Sequence, residues 1–389
     1  MAGYLFTLSN EASLRETIRK GRYSTLLAPG WGSSTWGTFG DYLTIKPGDS
    51  VYFFSNRKVY GIGCIECIVP NCPVLEVFDG ATNKGRIVES LTGSEHLIDT
   101  PENEDGKVCR WMVAFVPSPF FFTRGIDMDD LLSSDPNAFR SLRVFEQRSF
   151  IKLDDEEDRA FRTTILRRNL DALYYSNEDN TFGYEHLTEH ARIAEIATTR
   201  DASPKVQELL AANRKRNGSL VSEAALEAAI LSQLSEGEAG ATAAFGKWDY
   251  LSHQVVASPP KPIRYVDRMD IFGYRWINGY ENDCIIEKYL VVELKKDVVR
   301  GNDLHQLMKY VDWVRAEYAN GDYSLIKAFL VGSSFDMDSI RETMHTTMRF
   351  GLVSYRPPVQ YQWSDLTLVR YNVGSDGIAR FENVTVSPA

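Results

Sequence analysis

The chain has 389 residues, 43% apolar and 25% charged, the balance of a soluble globular protein with room for two or three domains. A net charge of −10 excludes a protein that coats nucleic acid with a uniformly basic surface, but leaves room for a local basic groove. The five cysteines, an odd number in so long a chain, speak against a secreted disulfide framework. The amino terminus MAGYLFTLSNEASLRE lacks the basic start and apolar core of a signal peptide, and no apolar run approaches the ~20 residues that span a bilayer. A cytoplasmic protein without membrane contact is expected.

Tyr4 to Leu8 reads as a short strand, and Glu11 to Lys20 as an amphipathic helix capped by Ser9 or Asn10. A glycine- and tryptophan-rich loop follows, APGWGSSTWGTFGDY. Two strands then flank the polar turn Ser55-Asn56-Arg57-Lys58, with further strands at Val74 to Phe78 and Cys109 to Pro117. Cys64, Cys67, Cys72 and Cys109 could be zinc ligands or thiols. In the strand-like run GIGCIECIV an offset of three points to opposite faces, which favours buried free thiols. Asp154-Asp155-Glu156-Glu157-Asp158 opens a helix to about Asn169, its acids complementing the helix dipole.

The order short strand, helix, aromatic loop, Lys46-Pro47-Gly48-Asp49 turn and Tyr60-Gly61-Ile62-Gly63 strand resembles the PUA-like superfamily, in particular its EVE and YTH-like members. The resemblance covers residues 1–165 and implies a small barrel that takes a flipped or modified base into an aromatic pocket. Such a base must be stacked on π faces and hydrogen-bonded at its edge. Trp31 and Trp36 are the stacking candidates and Asp41 the edge reader; the two tryptophans could equally cap the open end of the barrel. Tyr52, Phe53 and Phe54 are expected in the barrel wall and core.

Residues 166–217 read as a helical connector. His186 and His190 have helical i,i+4 spacing but no metal motif, and are expected at the surface. Arg214-Lys215-Arg216 precedes the boundary Asn217-Gly218. The triplet is placed either to neutralise DNA phosphates or to end a helix as a solvated cap.

Beyond it, Ser222 caps a helix that offers Glu223 as an acid. Asp270 lies in an alternating apolar stretch, and the apolar strand Tyr289 to Leu294 delivers Glu293 and Lys295 two apart, on one face. Two charges facing one way at the end of an apolar strand need partners, because unpaired buried charge is expensive. Two carboxylates suit Mg²⁺, which lowers the pKa of a bound water and offsets charge on a phosphate, and a nearby lysine can orient that water. On the next helix Gln306, Lys309, Tyr310 and Trp313 share a polar, aromatic face; Leu304, Leu307, Met308, Val311 and Val314 form the apolar one. Leu325 to Gly332 follows as a strand, then a helix over about Asp338 to Met348 and a strand-like tail.

From Ser222 to Val331 the chain resembles the PD-(D/E)xK nuclease superfamily, and within it the NucS/EndoMS family, through SEAALEAAIL, RMDIFGY, VVELKK and HQLMKYVDWV. The resemblance implies a helix-strand-strand-strand-helix-strand core that cleaves DNA with Mg²⁺, Mn²⁺ substituting. It marks Glu223, Asp270, Glu293 and Lys295 as catalytic, Asp270 and Glu293 as the metal ligands and Gln306 as support. Arg214, Lys215, Arg216 and Lys309 are the candidate DNA-backbone contacts. The turn Ile277 to Cys284 is longer than that family's, and the N-terminal part does not look like that family's own, so its mismatch substrate is not carried over.

The expected fold is α/β in the nuclease part and α+β overall. A PUA-like β-barrel spans residues 1–165, a helical connector 166–217, and a PD-(D/E)xK mixed sheet flanked by helices 218–389. A base reader joined to such a nuclease implies modification-dependent restriction in prokaryotic defence against phage. One site cuts one strand, so a homodimer or two successive nicks is expected. A repair endonuclease for mismatches or lesions, and a non-catalytic nucleic-acid-binding regulator, are the alternatives.

Overall fold

The computed structural model describes residues 2–27, 33–78, 81–83, 86–88, 109–144, 149–198, 201–259, 265–279 and 284–385. The fold is α+β, and the chain divides into two compact units, Met1–Lys205 and Val206–Ala389. The expected connector, 166–217, is therefore divided: helices Leu170–Tyr174 and His186–Thr198 belong to the first unit, Val206–Ala212 to the second. Among the described residues no helix is long and apolar enough to cross a membrane.

In the first unit an eight-stranded sheet curls into a half-barrel. Its path runs through Phe150–Leu153, Gly3–Thr7, Ser50–Ser55, Lys58–Glu66, Cys109–Pro117 and Arg22–Leu27. The pair Gly3–Thr7 and Ser50–Ser55 is parallel, and the other steps of the path are antiparallel. Asn56 and Arg57 turn the hairpin with φ of 50° and 62°, the left-handed pair that matches the strand twist. Aromatic rings fill the interior: Phe6 stacks on Tyr23 at 4.3 Å and meets Phe150 edge-on at 5.5 Å.

Three expectations for this unit are corrected. Part of the glycine- and tryptophan-rich stretch is a helix, Ser33–Leu43, whose buried Phe39 and Tyr42 face Trp111 at 4.5 and 5.8 Å. An aromatic pair at offset three packs one helical face, and the intervening glycines conceal that period in the sequence. His186 and His190 are buried, not at the surface. They continue the stripe of Ile193 and Ala197 on helix His186–Thr198, at offsets four, seven and eleven. His190 Nε2 lies 2.8 Å from the Gly21 carbonyl oxygen and its Nδ1 3.3 Å from Glu66. Gly21, with φ of 61°, is required there, since a Cβ would stand 2.6 Å from that of His186. The third correction concerns the acids of helix Asp155–Arg168. Asp154 is the N-cap, accepting from the Glu156 and Glu157 amides. Glu157 and Asp158 are buried cross-links, however, not solvated dipole partners. Glu157 Oε1 accepts from the Arg140, Ser141 and Leu142 amides, and Asp158 from the Tyr52 hydroxyl at 2.8 Å.

The second unit is built on a six-stranded mixed sheet. Its order is Tyr250–Val256, Arg268–Asn278, Cys284–Val299, Ile326–Phe335, Leu366–Val373 and Ala379–Val384. The two central steps are parallel and the outer ones antiparallel. Helix Gly301–Glu317 forms the crossover between the parallel strands Cys284–Val299 and Ile326–Phe335, and packs on both. Helix Glu223–Ser235, capped as expected by Ser222 accepting from the Ala225 amide, packs against Cys284–Val299 and both strands before it. Every residue from Ala225 to Leu234 is buried, which an alanine- and leucine-rich helix with no polar face permits. The helix expected over Asp338 to Met348 is shorter, Met337–Thr343, and continues as a 3₁₀ turn, Met344–Thr347.

Candidate active site

The strand Cys284–Val299 is buried continuously from Tyr289 to Leu294, and Glu293 within that run is 1% exposed. Strand alternation puts Lys295 on the same face, and its Nζ lies 2.5 Å from Glu293 Oε1. The ladder to Arg268–Asn278 ends at the pair Ile271–Val292. Past that point the Leu294 amide has no strand partner on this side. Asp270 takes it instead, Oδ2 accepting at 2.7 Å. The sheet thus splays where the acids meet, and a carboxylate replaces a ladder carbonyl.

A third strand contributes through one left-handed residue. In Tyr250–Val256, His253 pairs with Ile271 and Val255 with Met269, so Gln254, at φ of 52°, falls opposite Asp270 without a shift of register. A left-handed glutamine is a costly conformation, and it re-aims the side chain. Gln254 Nε2 donates to Glu227 Oε2 at 2.8 Å and to Asp270 Oδ1 at 3.2 Å. Both partners are carboxylates, so the amide nitrogen must face them. Glu227 lies one helical turn after Glu223 and is buried; its Oε1 is 2.5 Å from Nδ1 of the buried His253.

The electrostatics follow from this crowding. Burial, then the neighbouring Glu293 and Glu227, hold the Asp270 carboxyl well above the usual range. Burial also pushes Glu293 up to about 7; Lys295 opposes the rise, while Glu223 and Asp303 add to it. Lys295 is raised: burial works against its charge, but Glu293, Glu223 and Asp270 outweigh it. Glu293 Oε2 is buried and has no hydrogen-bond partner among the described residues. On helix Gly301–Glu317, Gln306 Nε2 donates to the Tyr310 hydroxyl at 3.1 Å. Burial raises the Tyr310 pKa, and the charges of Glu293 and Asp270 add to the rise, which sets this pair beside the acids.

Of the residues expected from sequence, Glu293 and Lys295 meet directly, Asp270 holds the amide of the intervening Leu294 and acts on both through its charge, and Gln306 approaches through Tyr310. Glu223 is exposed and acts on Glu293 through its charge. Glu227, His253 and Gln254 were not anticipated. Glu227 carried a signal, an acid at i+4 from Glu223 inside an apolar helix; the left-handed Gln254 carried none. Arg214 Nε donates to the Val373 carbonyl at 2.5 Å and Lys215 pairs with Asp297 at 2.9 Å, whereas Arg216 is exposed. Lys309 is 66% exposed, with Asp267 at 3.9 Å. Of the expected base pocket, Trp31 lies outside the described residues, Trp36 falls on the helix Ser33–Leu43, and Asp41 is only 4% exposed.

Among the described residues no three His, Cys, Asp or Glu side chains form a ready metal cage. Two carboxylates do fit Mg²⁺, which is commonly bound through one or two of them and keeps several waters. The donor chemistry agrees: all-oxygen, crowded with like charge, and with an unused buried oxygen on Glu293. Cys64, Cys67 and Cys72 are free and half-buried, Cys284 is free and exposed, and the Cys109 side chain lies outside what is described.

No family model matches the chain, and no curated protein matches it. Among solved structures, it aligns locally with the crystal structure of a repair endonuclease from Pyrococcus abyssi. The two are 21% identical over 24% of this chain and 35% of that one, with a TM-score of 0.15. The aligned part is thus about a third of that protein's length.

Proposed function

We propose that the second unit is a Mg²⁺-dependent DNA endonuclease, active also with Mn²⁺. The observation that carries this is the buried Glu293, paired with Lys295, beside half-buried Asp270 on the Leu294 amide where the sheet splays, Glu293 keeping an unused oxygen. Asp270 and Glu293 would hold the cation, which supplies a more acidic water and charge stabilisation at the phosphate. The Leu294 amide and the Gln254 side chain fix the Asp270 carboxyl from both oxygens. Lys295, held beside Glu293, presents an ammonium to the attacking water or to a non-bridging phosphate oxygen. Gln306 and Tyr310 border the acids and orient groups approaching them. The motif resemblance of Ser222 to Val331 supports the same chemistry.

We further propose that the first unit selects the substrate by reading an altered base, making the protein a modification-dependent restriction enzyme. The support is the sequence resemblance of residues 1–165 to base-reading barrels, together with the aromatic half-barrel. A cleavage panel with the full chain and Mg²⁺ tests both proposals, using unmodified, methylated, hydroxymethylated and glucosylated DNA and a mismatched duplex. Cutting confined to a modified substrate and abolished in Glu293→Gln is expected. Cutting of the mismatch alone would move the protein to repair, and binding of every substrate without cutting would remove the nuclease assignment.

A further inference from the structure

Glu227 sits on helix Glu223–Ser235 where every residue from Ala225 to Leu234 is buried, and it is itself 4% exposed. A carboxylate so placed is costly unless both of its oxygens are engaged. Both oxygens are taken up. Oε1 lies 2.5 Å from Nδ1 of the buried His253, and Oε2 accepts from Gln254 Nε2 at 2.8 Å. An imidazole nitrogen and a carboxylate oxygen that close hold a proton between them, since two bare lone pairs repel.

The two partners of Glu227 are neighbours on strand Tyr250–Val256, and neighbours on a strand ordinarily point to opposite faces. Here both reach one carboxylate. The departure from regular strand geometry is at Gln254, left-handed at φ of 52°, a conformation glutamine rarely adopts. Gln254 falls opposite Asp270 in the ladder, and its amide nitrogen also donates to Asp270 Oδ1 at 3.2 Å. An unbroken line of contacts therefore runs from His253 through Glu227 and Gln254 to Asp270. Amide oxygen and nitrogen are nearly the same size, so a glutamine side chain can turn over in place. A carboxylate only accepts, so Glu227 keeps the nitrogen, and not the oxygen, directed at Asp270. Glu223 is placed differently: it is exposed and acts on Glu293 through its charge.

We propose that Glu227, not Glu223, is the residue by which this helix serves the site. It is a positioning residue, steadied by His253, that keeps the Gln254 amide nitrogen on Asp270 and so fixes the carboxyl that receives the cation. The inference rests on the nuclease reading, which gives Asp270 that cation. It sets Glu227 apart from an ordinary tie between a helix and an edge strand. Such a tie contributes to stability and leaves the affinity of Asp270 for a cation as it was. The bond from Gln254 to Asp270 makes the difference, because a change at Glu227 is then felt two contacts away, through one side chain.

Mn²⁺ affinity of the full chain, read by electron paramagnetic resonance, tests this in a double-variant cycle. Glu227→Gln should weaken binding about 10-fold, as loss of a group that orients a metal ligand commonly does. Glu223→Gln removes the same charge from an exposed position and should weaken it about threefold at most. In Glu227→Gln/Gln254→Gly the loss should stay near that of Gln254→Gly alone, about 10-fold and not about 100-fold, because the two residues act as one unit. A second readout needs neither a cation nor a Glu227 variant, and decides if Glu227→Gln fails to fold. By NMR of the parent with isotope-labelled glutamine, the Gln254 side-chain amide is assigned by its absence in Gln254→Gly. Its hydrogens should exchange with water at least about 10-fold more slowly than those of a free amide. Additive losses in the cycle, a larger effect at Glu223 than at Glu227, or free exchange of the Gln254 amide would each overturn the proposal. So would a Glu227→Gln variant with a lowered thermal midpoint and unchanged affinity, the mark of a purely structural tie. Mn²⁺ bound by the parent but indifferent to Glu227 would remove this inference alone; no binding by the parent would remove the nuclease reading with it.

Discussion

Each unit sets a buried glutamate beside a half-buried aspartate, and the two pairs are solved differently. In the first unit Asp154 and Glu157 lie at the start of a helix, and Glu157 is pushed up to about 7 by burial and by Asp154. Its Oε1 is nonetheless fed by three backbone amides, from Arg140, Ser141 and Leu142, so it ties a loop to the helix. In the second unit Glu293 is buried and Asp270 half-buried, but their surroundings add further carboxylates, Glu223, Glu227 and Asp303, against one lysine. Burial alone therefore does not mark a site. Like-charged company at a splayed sheet does, because such a cluster is costly unless a cation joins it.

The contrast can be broken in order of effect on cleavage. Lys295→Ala removes the ammonium that faces Glu293 and should lower the cleavage rate at least ~100-fold at saturating Mg²⁺, measured in single turnover. A rate within about threefold of the parent would separate Lys295 from the chemistry. Gln254→Gly keeps the left-handed backbone but deletes the amide shared by Glu227 and Asp270. It should weaken cation affinity by ~10-fold, as groups that orient metal ligands commonly do. Titrating Mg²⁺ against thermal midpoint reads this without cleavage, and unchanged affinity would make Gln254 purely architectural.

Glu157→Gln should leave cleavage untouched and change the pH profile of stability. The Glu157 carboxyl rises from 4.5 to about 7 on folding, so the folded chain holds this proton more tightly. Its contribution is full below about pH 4.5 and is lost as pH rises through about 7. Glutamine keeps an acceptor for the three amides and cannot ionise. The variant should match the parent near pH 4 and exceed it by about 3 kcal/mol at pH 8, by urea denaturation. A parallel pH dependence in the two proteins would show that Glu157 does not titrate in this window.

Much of the candidate site was legible because it follows from period and caps. Ser222 caps its helix, strand alternation joins Glu293 to Lys295, and Gln306 and Tyr310 share a helical face. Glu227 was half-legible, an acid where every neighbour is buried. The conformation of Gln254 was not, since nothing in YLSHQVV announces a left-handed glutamine; its partners are two acids distant in sequence. Likewise the helix Ser33–Leu43 hid behind its glycines, and His186 and His190 read as polar although they continue an apolar stripe. Residues whose roles depend on a partner far along the chain were the ones sequence patterns misplaced.

The most direct measurement is Mn²⁺ binding by electron paramagnetic resonance, on the full chain and on Glu293→Gln. Binding with bound water in the parent, weakened at least ~10-fold in a variant with an unchanged thermal midpoint, is the predicted result. Equal binding in parent and variant, or none in either, would contradict a cation held by Asp270 and Glu293, and with it the proposed nuclease.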